Sequence, residues 1–421
     1  MFLLNKNFSS SSTSHLLIFF LYLSLLVGLI FGENSTGGAF LDYINQKQIT
    51  LKFSKNFFET LLNYDSFTTR HSPILLIILS QLEQIVSNDF IIRFIYLHFC
   101  LLLPITFFKI LKLRFKNIEI NKEIFIFLSL LIFLSPVYRS LSIWPDSRII
   151  GLTFFIISIY FFQKFINKKK HKYIYKNILF YTIAAYFSPN FSVISIFFIY
   201  KYFKFYGISK KFFEILILNL ILALPAFYYV FYLDINFLNK SAALDDNLTE
   251  NIFFKNIFNQ FLIIPSIFFF YLFPFIYFKI LEPHKKNMRK AFFISLPIFF
   301  LSILFFDYQV TYTGGGIFYK ISHFFFENNF LFYFFAFISL VVTIIIFIDH
   351  IENSIIFILL FLNNPQITIY HKYYDPMLII FFFCLFSFKI NVDKLSKFRN
   401  IVFLYLYFLI FLIINLLKFK L

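Results

Sequence analysis

Charge is what this sequence has least of. Of its 421 residues only 14% are Asp, Glu, Lys or Arg, whereas 60% are apolar and come in long blocks. A soluble domain of this size has no use for such a proportion, so a single water-soluble core is excluded. Cysteine is nearly absent. Cys100 and Cys384 stand far apart inside apolar runs, without the CxxC or metal-ligand spacing that points to redox or zinc chemistry. No internal repeat of the inverted kind that builds many transporters is present. The one run of three glycines, Gly314 to Gly316, lacks the following lysine-serine pair of a nucleotide-binding loop.

What the chain has instead is a series of blocks that reach or approach the roughly 20 apolar residues needed to cross a bilayer core. They fall near 15–32, 90–108, 124–137, 148–163, 177–187, 190–203, 212–233, 256–278, 291–306, 330–348, 353–362, 376–388 and 401–417. Lipid offers backbone groups no partner, so these segments are expected as helices. The fold class is therefore an all-α polytopic membrane protein with twelve to thirteen crossing helices, read as a single transmembrane domain over 1–421. The first block lacks a small-x-small cleavage pattern in FGENS and reads as an uncleaved anchor, with SSSSTS (9–14) as a flexible tail before it.

The net charge of +17 would suggest nucleic acid as the partner of a soluble protein, but here the cations occupy alternate loops. With a cytoplasmic N-terminus, segments such as QKFINKKKHKYIYK and KILEPHKKNMRK hold most of the 38 Lys and Arg, and the opposite loops hold two thirds of the 21 Asp and Glu. The positive-inside rule selects that orientation, in an inner or plasma membrane, and nucleic acid drops out as a partner.

The first outside loop, residues 33–89, is too long for a turn and too polar for another span. GENSTGGAFLDYINQKQ and SKNFFETLLNYDSFTTRHSPILL read as short interfacial helices. On the first, Gly38, Asp42 and Asn45 share a face, with Leu41, Ile44 and Gln48 on another. On the second, Phe57, Phe58, Leu61 and Leu62 form an apolar stripe. The segment after Pro73 is only about 15 residues long and suits a half-buried or re-entrant helix.

An anchor helix, a long loop with an acid near its start (GGAFLDY), RHSPILL some thirty residues on, a second short outside loop with an acid (SPVYRSLSIWPDSR) and a late aromatic-basic loop (IYHKYYDPM) occur together here. In these features the chain resembles the C-type glycosyltransferase superfold, which includes protein O-mannosyltransferases and the aminoarabinose transferase of lipid A. It departs from the family where the usual HPPL reads His71-Ser72-Pro73-Ile74, and where the usual acidic pair after the first helix is spread over Glu33 and Asp42. The resemblance implies inverting transfer of a sugar from a polyprenyl-phosphate donor to a lipid, glycan or protein acceptor at the outer face, among membrane lipids.

Such a reaction needs a carboxylate to take the acceptor's proton, and positive charge or a divalent metal ion for the departing phosphate. Asp42 is the first candidate base, or else a solvated carboxylate on an interfacial helix; Glu33 is the second, or else a helix-end charge. Asp146 is placed to hold a metal or orient the acceptor, or to cap the following helix. Arg139 and Arg148 suit phosphate oxygens, or anchor helix ends among headgroups. His71 either lines the cleft or shapes the start of its helix. The loop 307–329, with Gly314 to Gly316, Tyr319, Lys320 and His323, reads as a mobile flap or an ordinary flexible loop. His371, Lys372 and Tyr373 form the last outside cluster, with Lys372 as a phosphate contact or a snorkelling cation. Asp245 and Asp246 read as solvated loop residues. A flippase or transporter would place ionisable groups within its spans, where His98 is nearly the lone candidate. A polysaccharide polymerase would be expected to place its largest outside loop later in the chain.

The orientation is directly testable. Single cysteines introduced at positions 168–170 and 285 should react with a membrane-impermeant maleimide only after permeabilisation, and those at positions 42 and 246 in intact cells. Labelling of position 169 from outside overturns the topology.

Overall fold

The computed structural model describes residues 11–67, 71–117, 121–232, 256–282, 287–310, 314–363 and 368–418. Asp245, Asp246 and Lys285 lie outside the described residues. The chain divides into two compact units. The N-terminal unit comprises Ser9–Phe237 with Tyr405–Leu421, and the C-terminal unit Leu238–Leu404 with Met1–Phe8. Both are helical, and the strands among the described residues are two short pieces, β1 (Leu281–Glu282) and β2 (Lys389–Ile390), paired antiparallel within the C-terminal unit.

The N-terminal unit begins with α1 (Ser11–Phe31), so helix is already formed where a flexible tail was expected. Three helices of the first loop follow: α2 (Ala39–Lys55), α3 (Phe57–Leu62) and α4 (Pro73–Ile85). Next come α5 (Asp89–Cys100) and α6 (Leu102–Arg114), which together form one span, then α7 (Lys122–Leu130) and α8 (Pro136–Ile143). The unit continues with α9 (Ser147–Lys168), α10 (Lys172–Phe187), α11 (Asn190–Tyr206) and α12 (Lys210–Phe231). The C-terminal unit contains α13 (Ile257–Tyr277), α14 (Met288–Leu304), α15 (Gly316–Phe326), α16 (Phe330–Asp349), α17 (Ile351–Leu362), α18 (Met377–Cys384) and α19 (Val392–Leu395). The last helix, α20 (Phe398–Lys418), passes from this unit back into the first at Tyr405.

Every apolar block of the sequence falls on a helix, but length separates them. Among the described residues seven helices are long and apolar enough to cross a membrane, or eight if the bent pair Lys122–Leu134 and Pro136–Ile143 counts as one span. The remaining blocks form shorter helices, down to the eight residues of α18. The chain is thus a polytopic all-α membrane protein with fewer full-length spans than its hydropathy blocks suggest. Its exposed apolar side chains agree with a lipid-facing surface: along α12, Ile217, Leu220, Leu224 and Phe227 all point outward.

The first loop is helical as expected, with a different packed face. On α2 the buried residues are Ala39, Tyr43, Gln46, Thr50 and Phe53, whereas Leu41 and Ile44 are exposed. Phe53, Tyr64 and Leu76 form a small core supported by Ile49, Phe57, Leu61, Phe67 and Ile77; Phe58 and Leu62 of the expected stripe stay outside it. Phe53 and Tyr64 set the packed face because they reach Leu76 and Ile77 of α4. That helix starts at a Ser72 cap with Pro73 in its first turn, the position where a missing N–H costs nothing.

The sharpest break in the N-terminal unit has the same chemistry. Helix α7 tightens into a 3₁₀ turn at Leu131–Leu134, Ser135 accepts from the Tyr138 amide at 2.9 Å, and Pro136 opens α8 at an angle of 67°. All eight residues of α8 are buried. Deeper in the unit, Asn177 of α10 donates to the Ser158 carbonyl of α9 and accepts from the Tyr202 hydroxyl of α11, both at 2.8 Å. Replacing Asn177 by Ala leaves the buried Tyr202 hydroxyl without its acceptor and should lower stability by about 1–3 kcal/mol. Unfolding in detergent, compared with Asn177→Asp, checks this; an unchanged midpoint for Asn177→Ala would show that the three helices do not depend on the link.

Candidate functional site

Helix α1 ends in a left-handed turn. Gly32 takes φ +66° and the Glu33 amide reaches back to the Gly28 carbonyl at 2.8 Å, the six-to-one bond of a glycine-terminated helix. The reversal folds the Glu33 carboxylate against the last turn of α1. Gly28 makes room for it: a Cβ there would stand 2.5 Å from Glu33 Oε2 and 3.3 Å from Arg139 Nη2.

Arg139, on buried α8, meets that carboxylate with Nε at 2.8 and 3.0 Å from its two oxygens and Nη2 at 2.5 Å from Oε2. Its remaining donors go to Ser24, Nη1 to the hydroxyl and Nη2 to the carbonyl, both at 3.0 Å. Both side chains are more than nine-tenths buried. Trp144 Nε1 adds a bond to the Glu33 carbonyl at 3.0 Å. The two candidates therefore hold each other, and their geometry is that of a tie between α1 and α8.

Asp146 acts as the cap of α9: its Oδ1 accepts from the Arg148 amide at 2.7 Å. The Tyr96 hydroxyl donates to the Asp146 carbonyl at 2.7 Å and receives the Asp146 amide at 3.0 Å, fixing the turn to α5. Arg148 is buried, with its guanidinium 5.4 Å from the centre of the Phe191 ring. Asp42 lies in the first turn of α2, half-buried, where a negative charge favours the helix. His71 is half-buried and its carbonyl accepts from Tyr64 at 2.8 Å, just before the Ser72 cap.

A group that the sequence reading overlooked joins α2 to α5. Asp89, the first residue of α5, accepts from Tyr43 and Lys47 at 2.5 Å each and from Arg93 Nε at 3.1 Å. The Arg93 guanidinium stacks 4.3 Å from the Trp144 ring, which also meets Phe40 and Tyr43. Burial, and then the hydrogen bond to Asp89, push the Tyr43 phenol far above its ordinary range, while burial raises the Glu83 carboxyl. The i, i+4 spacing of Asp89 and Arg93 was the one local signal. Lys47 and Tyr43 join only because α2 folds back onto α5.

In the C-terminal unit the three glycines are packed rather than flap-like. Gly314, Gly315 and Gly316 all have positive φ, and a Cβ on Gly314 would lie 2.4 Å from the Ile369 carbonyl oxygen. The Gly315 amide donates to that oxygen at 3.1 Å, Tyr308 accepts from the Ile369 amide at 3.1 Å, and Tyr319 donates to the Tyr308 carbonyl at 2.7 Å. Where a mobile flap or a flexible loop was expected, Gly314 to Gly316 supply the side-chain-free backbone that close approach to Ile369 needs. It also ties the start of α15, and with it Lys320, to the loop carrying His371. His371 shares a hydrogen bond of 3.2 Å with Tyr271, and burial, followed by the charge of Lys320, lowers its pKa to about 3. The imidazole is neutral at physiological pH. Lys372 lies 5.4 Å from the Tyr370 ring, whose neighbour is Tyr373. Two loops read separately in the sequence, at Lys320 and at His371 to Tyr373, are thus joined within one unit.

Among the described residues no three His, Cys, Asp or Glu gather in a way that would hold a metal ion. Comparison with protein-family models, curated proteins and solved structures found no match.

The tie between α1 and α8 makes a quantitative prediction. Glu33→Gln or Arg139→Ala leaves a buried charge unmatched and should each lower stability by about 3–5 kcal/mol. The double variant Glu33→Gln/Arg139→Met should lose much less than the sum, measured by unfolding in detergent. Additive losses would show that the two side chains do not depend on each other.

Proposed function

We propose that this chain is a membrane glycosyltransferase with a C-type superfold, moving a sugar from a polyprenyl-phosphate donor to a lipid, glycan or protein acceptor at the extracytoplasmic face. The observation that carries the reading is the set of short helices α2 to α4, inserted between the first span and the next, with the half-buried carboxylate of Asp42 in the first turn of α2, the helix whose Lys47 pairs with Asp89. Helices that lie beside spans rather than through them give a carboxylate access to water and to lipid at once.

In this reading the acceptor hydroxyl attacks the anomeric carbon and Asp42 takes its proton. The bond from that carbon to the phosphate oxygen breaks, and its electron pair leaves with the polyprenyl phosphate, inverting the sugar. Asp42 is preferred to Glu33 because both oxygens of Glu33 are already engaged by Arg139. Asp146 caps α9 through the Arg148 amide, and Arg148 is the proposed phosphate contact within the N-terminal unit, with Lys47 and Arg93 as further positive charge; Lys372, in the C-terminal unit, is proposed as a phosphate contact on its own account. His71, Lys320, His371 and Tyr373 remain candidate substrate contacts.

Transport finds less support. His98, the ionisable residue expected within a span, donates from Nδ1 to the Phe94 carbonyl and accepts from Tyr22 at Nε2, both at 2.8 Å, which satisfies both nitrogens locally.

The test is transfer from a radiolabelled polyprenyl-phosphate sugar by purified protein supplied with membrane-derived acceptors. Asp42→Asn should reduce transfer by about 10²- to 10⁴-fold with folding retained. Arg148→Ala and Lys372→Ala should weaken donor use more than acceptor use. Near-normal turnover in Asp42→Asn overturns its assignment as base, and absence of transfer by the unaltered protein from any such donor counts against the function.

A further inference from the structure

Between Asp146 and Glu214 the sequence contains no acid, yet it is rich in lysine. The lysines collect at the end of the N-terminal unit away from Glu33 and Arg139, because α9 carries the chain from its Asp146 cap to Lys168 over about 33 Å. There the turn after α9 and the turn after α11 are brought together by His171. Lys211 Nζ lies 2.8 Å from His171 Nε2, and Tyr206 Oη lies 3.1 Å from His171 Nδ1, with the two rings stacked.

The direction of these bonds follows from chemistry. A lysine ammonium can only donate, so Nε2 accepts, the ring proton is on Nδ1, and Tyr206 oxygen receives it. The Tyr206 hydroxyl proton is then left to point at something else. The same two turns carry Lys168, Lys169, Lys170, Lys172, Lys210 and Lys211, all exposed, with Lys169 held 4.6 Å from the Phe205 ring next to Tyr206. Helices α10 and α12 both begin here, and their N-terminal ends add partial positive charge.

What lies against this end is set by α12. Only 6% of its membrane-length window is buried, and its apolar side chains face outward, so Lys210 and Lys211 begin a helix whose apolar flank is open to lipid. Lysines at the end of a lipid-covered helix stand at headgroup level.

We propose that the two turns, residues 168–172 and 204–211, form a binding site for the phosphate of an anionic phospholipid headgroup. Tyr206 donates a hydrogen bond to a phosphate oxygen, and Lys169, Lys170 and Lys211 supply the charge. The acyl chains lie along the exposed face of α12. The site is separate from the proposed sugar-transfer chemistry and stands without it.

The test uses the full chain purified in detergent. Binding of a short-chain phosphatidylglycerol is read by native mass spectrometry and by melting temperature, against phosphatidylcholine of the same chain length and inorganic phosphate. Phosphatidylglycerol should bind and raise the melting temperature where the other two do not. Lys169→Gln, Lys170→Gln and Lys211→Gln should each weaken binding about fivefold. Tyr206→Phe retains the ring and every lysine and should still weaken binding, by about fivefold or more, as expected for a lost hydrogen bond to a charged group. Lys394→Gln/Lys397→Gln, in the other unit, should leave binding unchanged. The proposal is overturned if phosphatidylcholine binds equally well or inorganic phosphate alone reproduces the stabilisation. It is likewise overturned if the Lys394/Lys397 variant loses as much binding, or if Tyr206→Phe binds like the unaltered chain.

Discussion

A carboxylate and a guanidinium that cannot reach water must be matched where they lie, and in the N-terminal unit that match is Glu33 with Arg139. The pair explains several features together. Residue 28 must be glycine-sized, since any Cβ would collide with the Glu33 carboxylate. The first span must end in a left-handed turn, so that the acid folds back. The second half of the broken helix must point inward, as its Ser135 cap and Pro136 make it do, because Arg139 has nowhere else to find five acceptor contacts. Trp144 is then positioned by the Glu33 carbonyl and becomes the wall against which Phe40, Tyr43 and Arg93 pack.

Around that fixed point the polar groups of the unit are sorted by height along α9. Its N-terminal end holds Asp146 and Arg148, with Asp89, Lys47 and Arg93 close by through Tyr96 and Trp144; at its C-terminal end lysines predominate, with Lys168 to Lys170, Lys172, Lys210 and Lys211 on the neighbouring turns. Between the ends the groups are uncharged and satisfied within the helices, as with Asn177 and the Tyr202 hydroxyl. This is the distribution that lipid imposes, since an unmatched charge is tolerated only where water or headgroups reach it.

In the C-terminal unit close approach of backbone joins two loops. Three glycines with positive φ let backbone meet backbone at Ile369, and a tyrosine pair, Tyr308 and Tyr319, closes the gap. The consequence is chemical as well as structural: His371 is enclosed beside Tyr271 and near the charge of Lys320, which keeps its imidazole neutral. A glycine run that suggests mobility by composition is here a packing device.

The sequence by itself determined the class of the protein and the position of its helices, because hydropathy and charge act locally and lipid leaves the backbone a single solution. It also located the short helices of the first loop. The partnerships among the polar residues were decided by tertiary structure. Glu33 and Arg139 are 106 residues apart, and Asp89 is 46 residues from Tyr43 and 42 from Lys47, so no spacing rule could pair them. Whether a carboxylate is a base or a tie depends on what reaches it through space, and that is settled only when α2 and α8 fold against the ends of the spans.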